Sequence, residues 1–336
     1  MSTTIHHAEG EVFIEELPDK RRRISVKPKT GHFAIAETWT TRYPMDLIEL
    51  MLEVHGAADL CFEIMRDEDP SLVEKSLKND LFAYFKPEDF ENRTILEFGC
   101  GSGASTHILT RMFPTAEITG VELMESSLRV ARKRAEVFDL KNVAFLQSPA
   151  GDRLPANLGE YDFIILSAVY EHLYPHERTT ILPALWEHLK VGGYLFINQT
   201  PNSLFPFELH TTMLPVINYV PDRLALELAR RFSKRIRADE TWEELLRKGI
   251  RGATEREILG HLRGAEMLEP RYHGLRDRID LYYINTNQER LKAVKSAAKL
   301  FIKAIKTATG ITLVPDLSLA FLKVPSPRSP ESQVKK

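Results

Sequence analysis

Short apolar runs alternate with helix-forming stretches through the middle of the chain. Ile95, Leu96 and Phe98 suit a buried parallel strand, because strands covered on both faces are apolar throughout. Further strands are predicted at 117–122, 143–146, 161–167 and 194–197, and a helix at 126–138. This alternation predicts an α/β fold, either one elaborated domain or one domain with a cap.

Three alternating glycines, Gly99, Gly101 and Gly103, follow the first of these strands. Without a Cβ they let the backbone turn sharply and bring a ligand against bare peptide. Residues 104–109 then read as a helix whose first N–H groups point back at that ligand. A loosened dinucleotide fingerprint, Gly99-x-Gly101-x-x-Ala104, fits the same loop. The glycines alone therefore do not decide between cofactor classes.

Two acidic residues flank this loop. Glu97 lies two residues before the first glycine, where a carboxylate would repel a pyrophosphate but suits the ammonium of an amino-acid-like cofactor. Glu122 ends the second strand, 19 residues beyond Gly103, and can accept hydrogen bonds from both hydroxyls of a ribose. NAD-binding folds place an acid at the same point, so Glu122 is expected for both cofactor classes.

With its E-x-G-x-G-x-G form, segment 97–103 resembles the first motif of class I S-adenosylmethionine-dependent methyltransferases. The Lys-Val-Gly-Gly-Tyr-Leu turn at 190–195 is also typical of that family, and the likeness extends over residues 94–200. It implies a Rossmann-like seven-stranded sheet with helices on both faces, and S-adenosyl-L-methionine as cofactor. The implied cofactor-binding residues are Glu97, Gly99, Gly101, Gly103, Glu122, Leu123, Asp152 and Ser167.

Two of these assignments rest on loop positions. The family places an acid near the adenine amino group after the third strand, and Asp152 is the candidate. The register stays open, because Ser148-Pro149 could equally occupy the matching loop position. Ser167 ends the fourth strand, just before the segment where the family points the cofactor's methyl group.

The segment after the fourth strand contains the candidate general base. Its Val-Tyr-Glu-His-Leu sequence at 169–173 resembles that of the ubiquinone-biosynthesis-type small-molecule O-methyltransferases. His172 is the first choice, because an imidazole titrates near neutral pH, while Glu171 would orient it or contact the substrate. His210 is a second candidate base. Alternatively, Glu171 and His172 merely cap the next helix.

A divalent metal is not predicted at this segment. Some relatives bind one there through an additional glutamate three residues before the first matched one, and Ala168 stands in that position. Glu171, His172 and His210 without the leading acid make a poor set of metal ligands.

The additions outside the core divide the chain into five predicted regions. These are an N-terminal cap (1–93), the cofactor-binding core (94–200), a lid or substrate insertion (201–254), the C-terminal part of the core (255–324) and a disordered proline-rich tail (325–336). The cap is expected to contain a hairpin-like pair at 11–14 and 23–26, then helices at 44–54, 57–66 and 71–85.

The insertion at 201–254 is expected to form either a lid over the ligand or padding of the core. Helices are predicted at 222–237, with Asp222 as N-cap, and at 240–248. Segment 201–221 mixes polar groups with aromatic residues, and these could bind a sugar or satisfy the loop's own backbone. The polar and aromatic candidates are Glu208, His210, Thr211, Asn218, Phe205, Phe207 and Tyr219.

Residues 289–308 form a basic amphipathic pattern. Apolar residues recur at helical spacing, and another face carries Lys292, Lys295, Lys299, Lys303 and Lys306. Such a helix can lie on an anionic membrane, hold a phosphorylated lipid-linked substrate, or pack on the sheet with a solvated lysine face.

Composition and net charge bear on the class of partner and on the cellular compartment. The chain has 336 residues, 43% of them hydrophobic, with a net charge of −2, so its overall charge does not point to nucleic acid. It has two cysteines, far apart, and neither a signal-like N-terminus nor an apolar run long enough to span a membrane, so a reducing cytoplasm is expected.

The favoured function is O-methylation of a small-molecule, saccharide or lipid-linked acceptor by in-line transfer with a histidine base. The alternatives are a non-catalytic cofactor-binding scaffold and an NAD-dependent oxidoreductase. The oligomeric state is not predicted.

Overall fold

Strands and helices alternate over most of the computed structural model, which describes residues 2–286 and 292–325. The N-terminal elements are β1 (Ser2–His6), β2 (Gly10–Glu16), β3 (Arg22–Pro28), β4 (Thr38–Thr41), α1 (Met45–Glu68) and α2 (Val73–Phe82). The middle of the chain forms β5 (Thr94–Phe98), α3 (Ala104–Met112), β6 (Glu117–Glu122), α4 (Glu125–Val137), β7 (Val143–Gln147), β8 (Tyr161–Ser167), α5 (Pro175–His188) and β9 (Leu189–Pro201).

The last third begins with two short strands and ends with a long one. Its elements are β10 (Phe207–Glu208), β11 (Leu214–Pro215), α6 (Asp222–Phe232), α7 (Trp242–Arg247), α8 (Glu255–His261), β12 (Ala265–Met267), α9 (Arg278–Asn285), α10 (Lys292–Thr309) and β13 (Asp316–Lys323). Short 3-10 turns lie at Pro87–Phe90, Tyr170–His172 and Ile217–Tyr219.

A seven-stranded, mostly parallel sheet flanked by helices forms the core. Its strand order is β12-β13-β9-β8-β5-β6-β7. β6 and β7 pair in parallel, as do β8 and β9, whereas β13 runs antiparallel to β9 and β12 antiparallel to β13. The predicted seven-stranded Rossmann-like fold is thereby confirmed.

Two compact units share this chain. The first comprises residues 2–79, 87–92 and 97–148, and the second comprises 80–86, 93–96 and the described part of 149–336. The five predicted regions divide the chain differently, and they stay predictions about which segments act as cap and lid.

In the first unit, the N-terminal strands form their own antiparallel sheet in the order β1-β2-β3-β4. The predicted hairpin is confirmed as the β2–β3 pair, in which Val12 faces Val26 and Ile14 faces Ile24. All four of these side chains are buried against α1. The outer strands β1 and β4 carry few buried apolar residues, which explains why the hydrophobic pattern did not reveal them.

The helices predicted at 44–54 and 57–66 are one helix, α1, with a kink at Gly56, where φ is 80° and ψ is 172°. A Cβ at this position would lie 2.2 Å from Oε2 of Glu9. The same carboxylate oxygen accepts a hydrogen bond from the Ala58 N–H at 3.1 Å. Glu9 therefore caps the second half of α1.

In the second unit, the insertion forms a small core of its own. Its buried residues are Ile217, Ala225, Ala229, Ile236, Leu245 and Ile250. The predicted N-cap role of Asp222 is wrong: Pro221 holds the N-cap position, and Asp222 lies in the first turn with its carboxylate 2.6 Å from Nη2 of Arg251. α6 ends at Phe232 rather than at 237, because Ser233 turns to extended backbone.

The basic helix is confirmed as α10 from Lys292 onward, and residues 289–291 lie outside the described part of the chain. The orientation of the helix differs from the expected solvated lysine face. The ammonium groups of Lys299 and Lys303 contact Asp280, and that of Lys306 contacts Glu269. The exposed side of the helix instead carries Leu300 and Phe301, which are 70% and 67% exposed.

Two further expectations concern the C-terminal tail and membrane-spanning helices. The predicted disordered tail falls almost entirely on residues 326–336, which lie outside the described residues. Within 2–286 and 292–325, no helix combines the length and apolarity needed to cross a bilayer.

Candidate cofactor and catalytic sites

The glycine loop lies between β5 and α3 in the first unit. Gly99, Gly101 and Gly103 have φ values of 76°, 53° and 79°, all in the left-handed region that favours glycine. The Gly99 N–H donates to the Val121 carbonyl at 2.8 Å, which fixes the loop to the end of β6. Gly103 is the N-cap of α3 and has no side chain to cap it.

Gly103 and Gly101 are expected to respond differently to alanine. At Gly103 a Cβ would lie 2.8 Å from the Ala131 Cβ, so Gly103→Ala should lower the free energy of unfolding by about 1–3 kcal/mol. A Cβ at Gly101 meets nothing within 4 Å and would occupy the open space in front of the loop. Gly101→Ala should therefore weaken cofactor binding more than it lowers stability.

Urea denaturation and calorimetric titration with S-adenosylmethionine measure the two effects separately. A Gly101→Ala protein that loses more stability than Gly103→Ala while binding the cofactor normally would contradict this assignment of the two glycines.

Glu97 is 2% exposed and lies at the start of the loop. Burial raises the pKa of its carboxyl group above the usual value, although hydrogen bonds from Ser105 and Thr106 oppose the rise. A cation placed beside this carboxylate would relieve the cost of burying its charge. This environment suits the predicted ammonium-binding role, which stays a prediction.

Glu122 is held by backbone N–H groups at the end of β6. Its Oε2 accepts from Gly101 at 3.0 Å, and its Oε1 accepts from Leu123 at 2.8 Å and from Met124 at 3.0 Å. The carboxylate is thus preorganised at the carboxyl end of the strand, where the ribose-binding role was predicted. The Leu123 N–H is occupied by Glu122, and the predicted contact of Leu123 with the cofactor stays a prediction.

For the adenine-contacting position, the geometry favours Ser148 over Asp152. The Ser148 N–H donates to the Glu122 carbonyl at 2.9 Å, and its buried hydroxyl has no hydrogen-bond partner among the described residues. Asp152 belongs to the second unit, and its half-exposed carboxylate is 3.8 Å from Nε of Arg153. An orphaned hydroxyl next to Glu122 is the better candidate for a ligand contact.

A buried polar network behind the loop was missed by the sequence reasoning. Ser102 of the loop donates its hydroxyl to Glu63 of α1 at 2.9 Å. Arg134 of α4 is 1% exposed and donates to the Ser102 and Glu63 carbonyls, both at 2.8 Å. These residues are up to 71 positions apart, so no local motif indicates them.

In the second unit, Glu171 is completely buried in the turn after β8. Its Oε2 accepts a hydrogen bond from the Thr200 hydroxyl at 3.1 Å, whereas its Oε1 has no partner within the described chain. Burial raises the pKa of Glu171 to about 8. A buried carboxyl with one free oxygen is available to a ligand.

His172 is held in one tautomer. Its Nδ1 lies 2.8 Å from the Arg247 carbonyl oxygen, and since a carbonyl can only accept, Nδ1 carries the proton. Nε2 of the neutral ring is therefore an acceptor, and it lies 3.7 Å from Oε1 of Glu171. Burial lowers the pKa of His172, which keeps this ring neutral.

The alternative capping role of Glu171 and His172 is wrong. The next helix, α5, has Tyr174 as its N-cap, and Glu177 accepts the Tyr174 N–H at 2.7 Å. Glu171 and His172 are thus not needed for capping.

His210 completes a cluster with these two residues. Its ring centroid is 5.6 Å from that of His172, and burial lowers its pKa as well. One ligand atom each from Glu171, His172 and His210 lies within 4.8 Å of the others, a donor set that could hold a divalent ion. The absence of a metal stays a prediction, which a metal titration must test.

Two more polar residues lie side by side on neighbouring strands of the second unit. Ser167 of β8 pairs with Asn198 of β9 in the sheet register. The Ser167 hydroxyl and both amide atoms of Asn198 are buried without partners in residues 2–286 and 292–325. Ser167 was predicted to be at the cofactor's methyl, but Asn198 was missed, although the polar run Asn198-Gln-Thr200 after an apolar strand was a visible signal.

Polar residues of the insertion form hydrogen bonds mainly with backbone groups of the insertion itself. Glu208 is 2% exposed and accepts from the His210 and Thr211 N–H groups at 2.8 and 2.7 Å. The Thr211 hydroxyl donates to the Lys248 carbonyl at 2.9 Å. Phe207 and Tyr219 are 51% and 54% exposed and remain open to a ligand. Of the two predicted roles, sugar binding and hydrogen bonding to the protein's own backbone, the second therefore accounts for Glu208 and Thr211.

Comparison with known proteins matches the same region. A family model described as a methyltransferase domain covers residues 95–193. The malonyl-[acyl-carrier protein] O-methyltransferase of Bacillus cereus is 33% identical over 143 residues, 42% of this chain and 50% of that protein. The ubiquinone biosynthesis O-methyltransferase of Acinetobacter baylyi is 29% identical over 114 residues, 33% of this chain and 46% of that protein.

The structure of PKMT2 from Rickettsia typhi aligns with a TM-score of 0.46 and 15% identity, covering 77% of this chain and 54% of that chain. The present chain spans at most half the length of the two curated relatives described above.

Residues 95–193 therefore match a methyltransferase domain, and these likenesses support the class I S-adenosylmethionine-dependent methyltransferase superfamily, with S-adenosylmethionine as cofactor. This confirms the family that Glu97, the glycine loop and Glu122 indicated. Both relatives are named as O-methyltransferases, and they include the ubiquinone-biosynthesis type that segment 169–173 resembles.

Proposed function

We propose that this protein transfers the methyl group of S-adenosylmethionine to a hydroxyl oxygen of a small-molecule, saccharide or lipid-linked acceptor. The observation that carries the proposal is the arrangement of His172. Its tautomer is fixed by the Arg247 carbonyl, and its Nε2 faces the unpaired Oε1 of Glu171 across 3.7 Å. This gap is too long for a direct hydrogen bond.

The proposal assigns separate tasks to the cofactor-binding residues and to the residues around His172. Glu97, Glu122 and the glycine loop bind the cofactor, which supplies a methyl group on a sulfonium leaving group. His172 Nε2 accepts the proton of the acceptor hydroxyl as its oxygen forms the new bond to the methyl carbon and the carbon–sulfur bond breaks. Asn198 and Ser167 offer the polar atoms that orient the acceptor.

Charge favours a hydroxyl over a carboxylate acceptor. Glu171 is buried in this cluster, and Asp316 has a pKa raised to about 6 by burial and by the charge of Glu208. With a pKa of about 8, Glu171 is mostly uncharged at neutral pH, whereas Asp316 is largely ionised there and would repel an anionic acceptor. A carboxylate also needs no base, so the fixed His172 would have no task.

An acceptor screen tests the proposal. The pure protein is titrated calorimetrically with S-adenosylmethionine, S-adenosylhomocysteine and NAD, and is then incubated with methyl-labelled cofactor and hydroxylated sugars, phenols, lipid-linked alcohols or carboxylic acids. We expect binding of the two sulfur ligands but not NAD, and label transfer to a hydroxyl compound.

Three results would count against it. Transfer only to carboxylic acids would contradict the hydroxyl preference. Cofactor binding without transfer to any acceptor would favour the scaffold. NAD binding without a response to either sulfur ligand would favour the oxidoreductase.

The pH profile identifies the base. Because burial lowers the pKa of His172 below its usual 6.5, kcat/KM should rise with pH only below about 6.5 and show no further rise near 8. If Glu171, with a pKa of about 8, were the base, kcat/KM would rise tenfold per pH unit up to that value. A rise near pH 8 that disappears in Glu171→Gln would assign the proton transfer to Glu171 instead.

Metal dependence is tested on the same reaction. A histidine base requires no metal, so activity should survive dialysis against EDTA and should not respond to Mg²⁺, Mn²⁺ or Zn²⁺. Loss on dialysis and recovery with one ion would make Glu171, His172 and His210 metal ligands.

A further inference from the structure

Segment 204–220 of the insertion reverses the usual distribution of polar and apolar side chains. Every exposed residue in it is apolar or aromatic, whereas the polar residues Glu208, Thr211 and Thr212 are buried. Single exposed apolar residues are normal on a protein surface, but a group of them in one short segment marks a binding surface. The large ones, each 39–54% exposed, form what we call the apolar patch: Leu204, Phe207, Leu209, Met213, Val216 and Tyr219.

Contacts within the segment hold the two sides of the patch together. β10 and β11 pair so that Phe207 lies opposite Pro215, and Val216 follows directly in the chain. The Tyr219 hydroxyl donates to the Leu204 carbonyl at 2.6 Å, which joins the end of the segment to its start. Because this hydroxyl is engaged, Tyr219 offers mainly the apolar face of its ring to a ligand.

Two patch residues are held in an unfavourable backbone conformation. Met213 and Val216 have φ values of 59° and 52°, in the left-handed region that favours glycine or asparagine. For a β-branched residue such as valine this conformation is strained. The segment thus contains a strained valine whose side chain is 52% exposed, where burial in a core cannot account for it.

The patch is continuous with the proposed catalytic cluster. Leu209 of the patch directly precedes His210, whose ring centroid lies 5.6 Å from that of His172. The backbone of this turn is fixed, because Glu208 accepts the His210 N–H at 2.8 Å. The His172 side chain is itself 39% exposed, so the cluster is open to solvent on the side of a ligand.

We propose that the apolar patch binds an uncharged hydrocarbon chain of the methyl acceptor, with the acceptor hydroxyl at His172. That the chain belongs to the acceptor rests on the proposed function. The exposed residues of the segment carry no charge, which favours a hydrocarbon over an ionic group. Among the buried side-chain polar atoms of the segment, only Asn218 Oδ1 lacks a partner within the described chain, and one oxygen is too little for a sugar ring. The patch therefore favours a lipid-linked acceptor over a saccharide.

Calorimetric titration of the full chain with 1-butanol, 1-hexanol and 1-octanol tests the patch without methyl transfer. S-adenosylhomocysteine is present at saturation, so that no methyl group is available. We expect the affinity to rise about two- to fourfold for each added CH₂ group, because each methylene covered by the patch contributes a similar free energy.

Two variants and one matched control assign this binding to the patch. Val216→Asn should weaken 1-octanol binding about threefold: asparagine adopts positive φ readily, so the backbone is kept while the side chain becomes polar. Phe207→Ser should weaken it about tenfold, because it removes a large ring from the surface that covers the chain. Val191→Asn makes the first substitution at a 62% exposed valine near the start of β9, outside the segment, and should bind like the wild type.

Thermal melts separate a ligand-binding role from a structural one. Since Val216→Asn relieves strain, it should melt no lower than the wild type. A lower melting temperature together with unchanged 1-octanol affinity would make Val216 a structural residue and overturn its place in the site.

Several other results would overturn the patch as a chain site. These are affinity that does not depend on chain length, and equal weakening in Val216→Asn and Val191→Asn. A wild-type dimer that dissociates in Val216→Asn would assign the patch to a second copy of the chain. Flotation with phosphatidylcholine vesicles that is lost in Val216→Asn, without binding of the alcohols, would assign it to a bilayer.

The outcome is independent of whether methyl transfer is observed. Chain-length-dependent binding that is weakened in Val216→Asn supports the patch even if the acceptor screen yields no labelled product, a result that counts against the proposed function alone. Label transfer to a hydroxyl compound without chain-length-dependent binding of the alcohols keeps the proposed function and overturns the patch.

Discussion

Glu122→Ala should bind S-adenosylmethionine at least about a hundredfold more weakly than the wild type. The variant loses the acceptor of two proposed ribose hydrogen bonds, each worth about 1.5–3 kcal/mol when the acceptor is charged. It also leaves the Gly101, Leu123 and Met124 N–H groups without the carboxylate that now accepts them. Calorimetric titration with S-adenosylmethionine and S-adenosylhomocysteine measures the loss directly.

Glu117→Ala is the matched control for this experiment. Glu117 begins the same strand, β6, and its side chain is exposed, so its removal should leave cofactor binding unchanged. Glu122→Gln keeps one acceptor oxygen and should fall between the two. Wild-type affinity in Glu122→Ala would remove this residue from the cofactor site altogether.

The second large effect is expected at His172. His172→Gln should lower kcat by about 10²–10⁴-fold, which is the contribution of a positioned general base. Affinity for S-adenosylmethionine should stay unchanged, because the proposed role of His172 concerns the acceptor proton alone. The measurement uses the acceptor found in the screen, with kcat and KM determined separately.

His176→Gln serves as its control. His176 is an exposed histidine on the first turn of α5, four residues further along the chain, and its ring stacks on that of Tyr174. A loss in both variants would point to disturbance of this segment rather than to a base. If His172→Gln kept full kcat, the acceptor would need no base or would use Glu171 or His210.

The proposed cofactor-binding residues could be placed from the sequence because they are close together along the chain. Glu97, the three glycines and Glu122 lie on one strand–loop–helix–strand segment, where spacing alone fixes their places. Ser148 was within reach as one of two alternatives. Choosing it required the backbone hydrogen bond to the Glu122 carbonyl, which no residue pattern contains.

Contacts between residues far apart in the chain could not be predicted from the sequence. Arg134, Ser102 and Glu63 meet through the packing of α1 and α4 against the loop, and a buried arginine looks like any surface arginine in a sequence. The polar run at Asn198 is visible in the sequence, but only the structure shows that Asn198 pairs with Ser167 and that its amide is buried without a partner among the described residues.

The sequence predicted helix α10 but not its orientation: the lysine face, rather than the apolar face, contacts the protein. Helical periodicity separates a lysine face from an apolar face, and burial usually takes the apolar one. Here the α10 lysines form ion pairs with three acidic residues that lie earlier in the chain, Glu269, Asp277 and Asp280. The sequence therefore predicted the amphipathic pattern but not which side would meet the protein.

This inversion makes the attachment of α10 depend on ionic strength. Among the residues of this helix whose burial is described, only Ile302 is buried, at 8% exposed, while Lys299, Lys303 and Lys306 pair with carboxylates outside the helix. Dissolved ions weaken partly exposed ion pairs increasingly as the Debye length falls from about 10 Å at 0.1 M to about 3 Å at 1 M, while they leave buried apolar contacts intact. Salt therefore weakens the hold on this one helix while the β-sheet core keeps its stability.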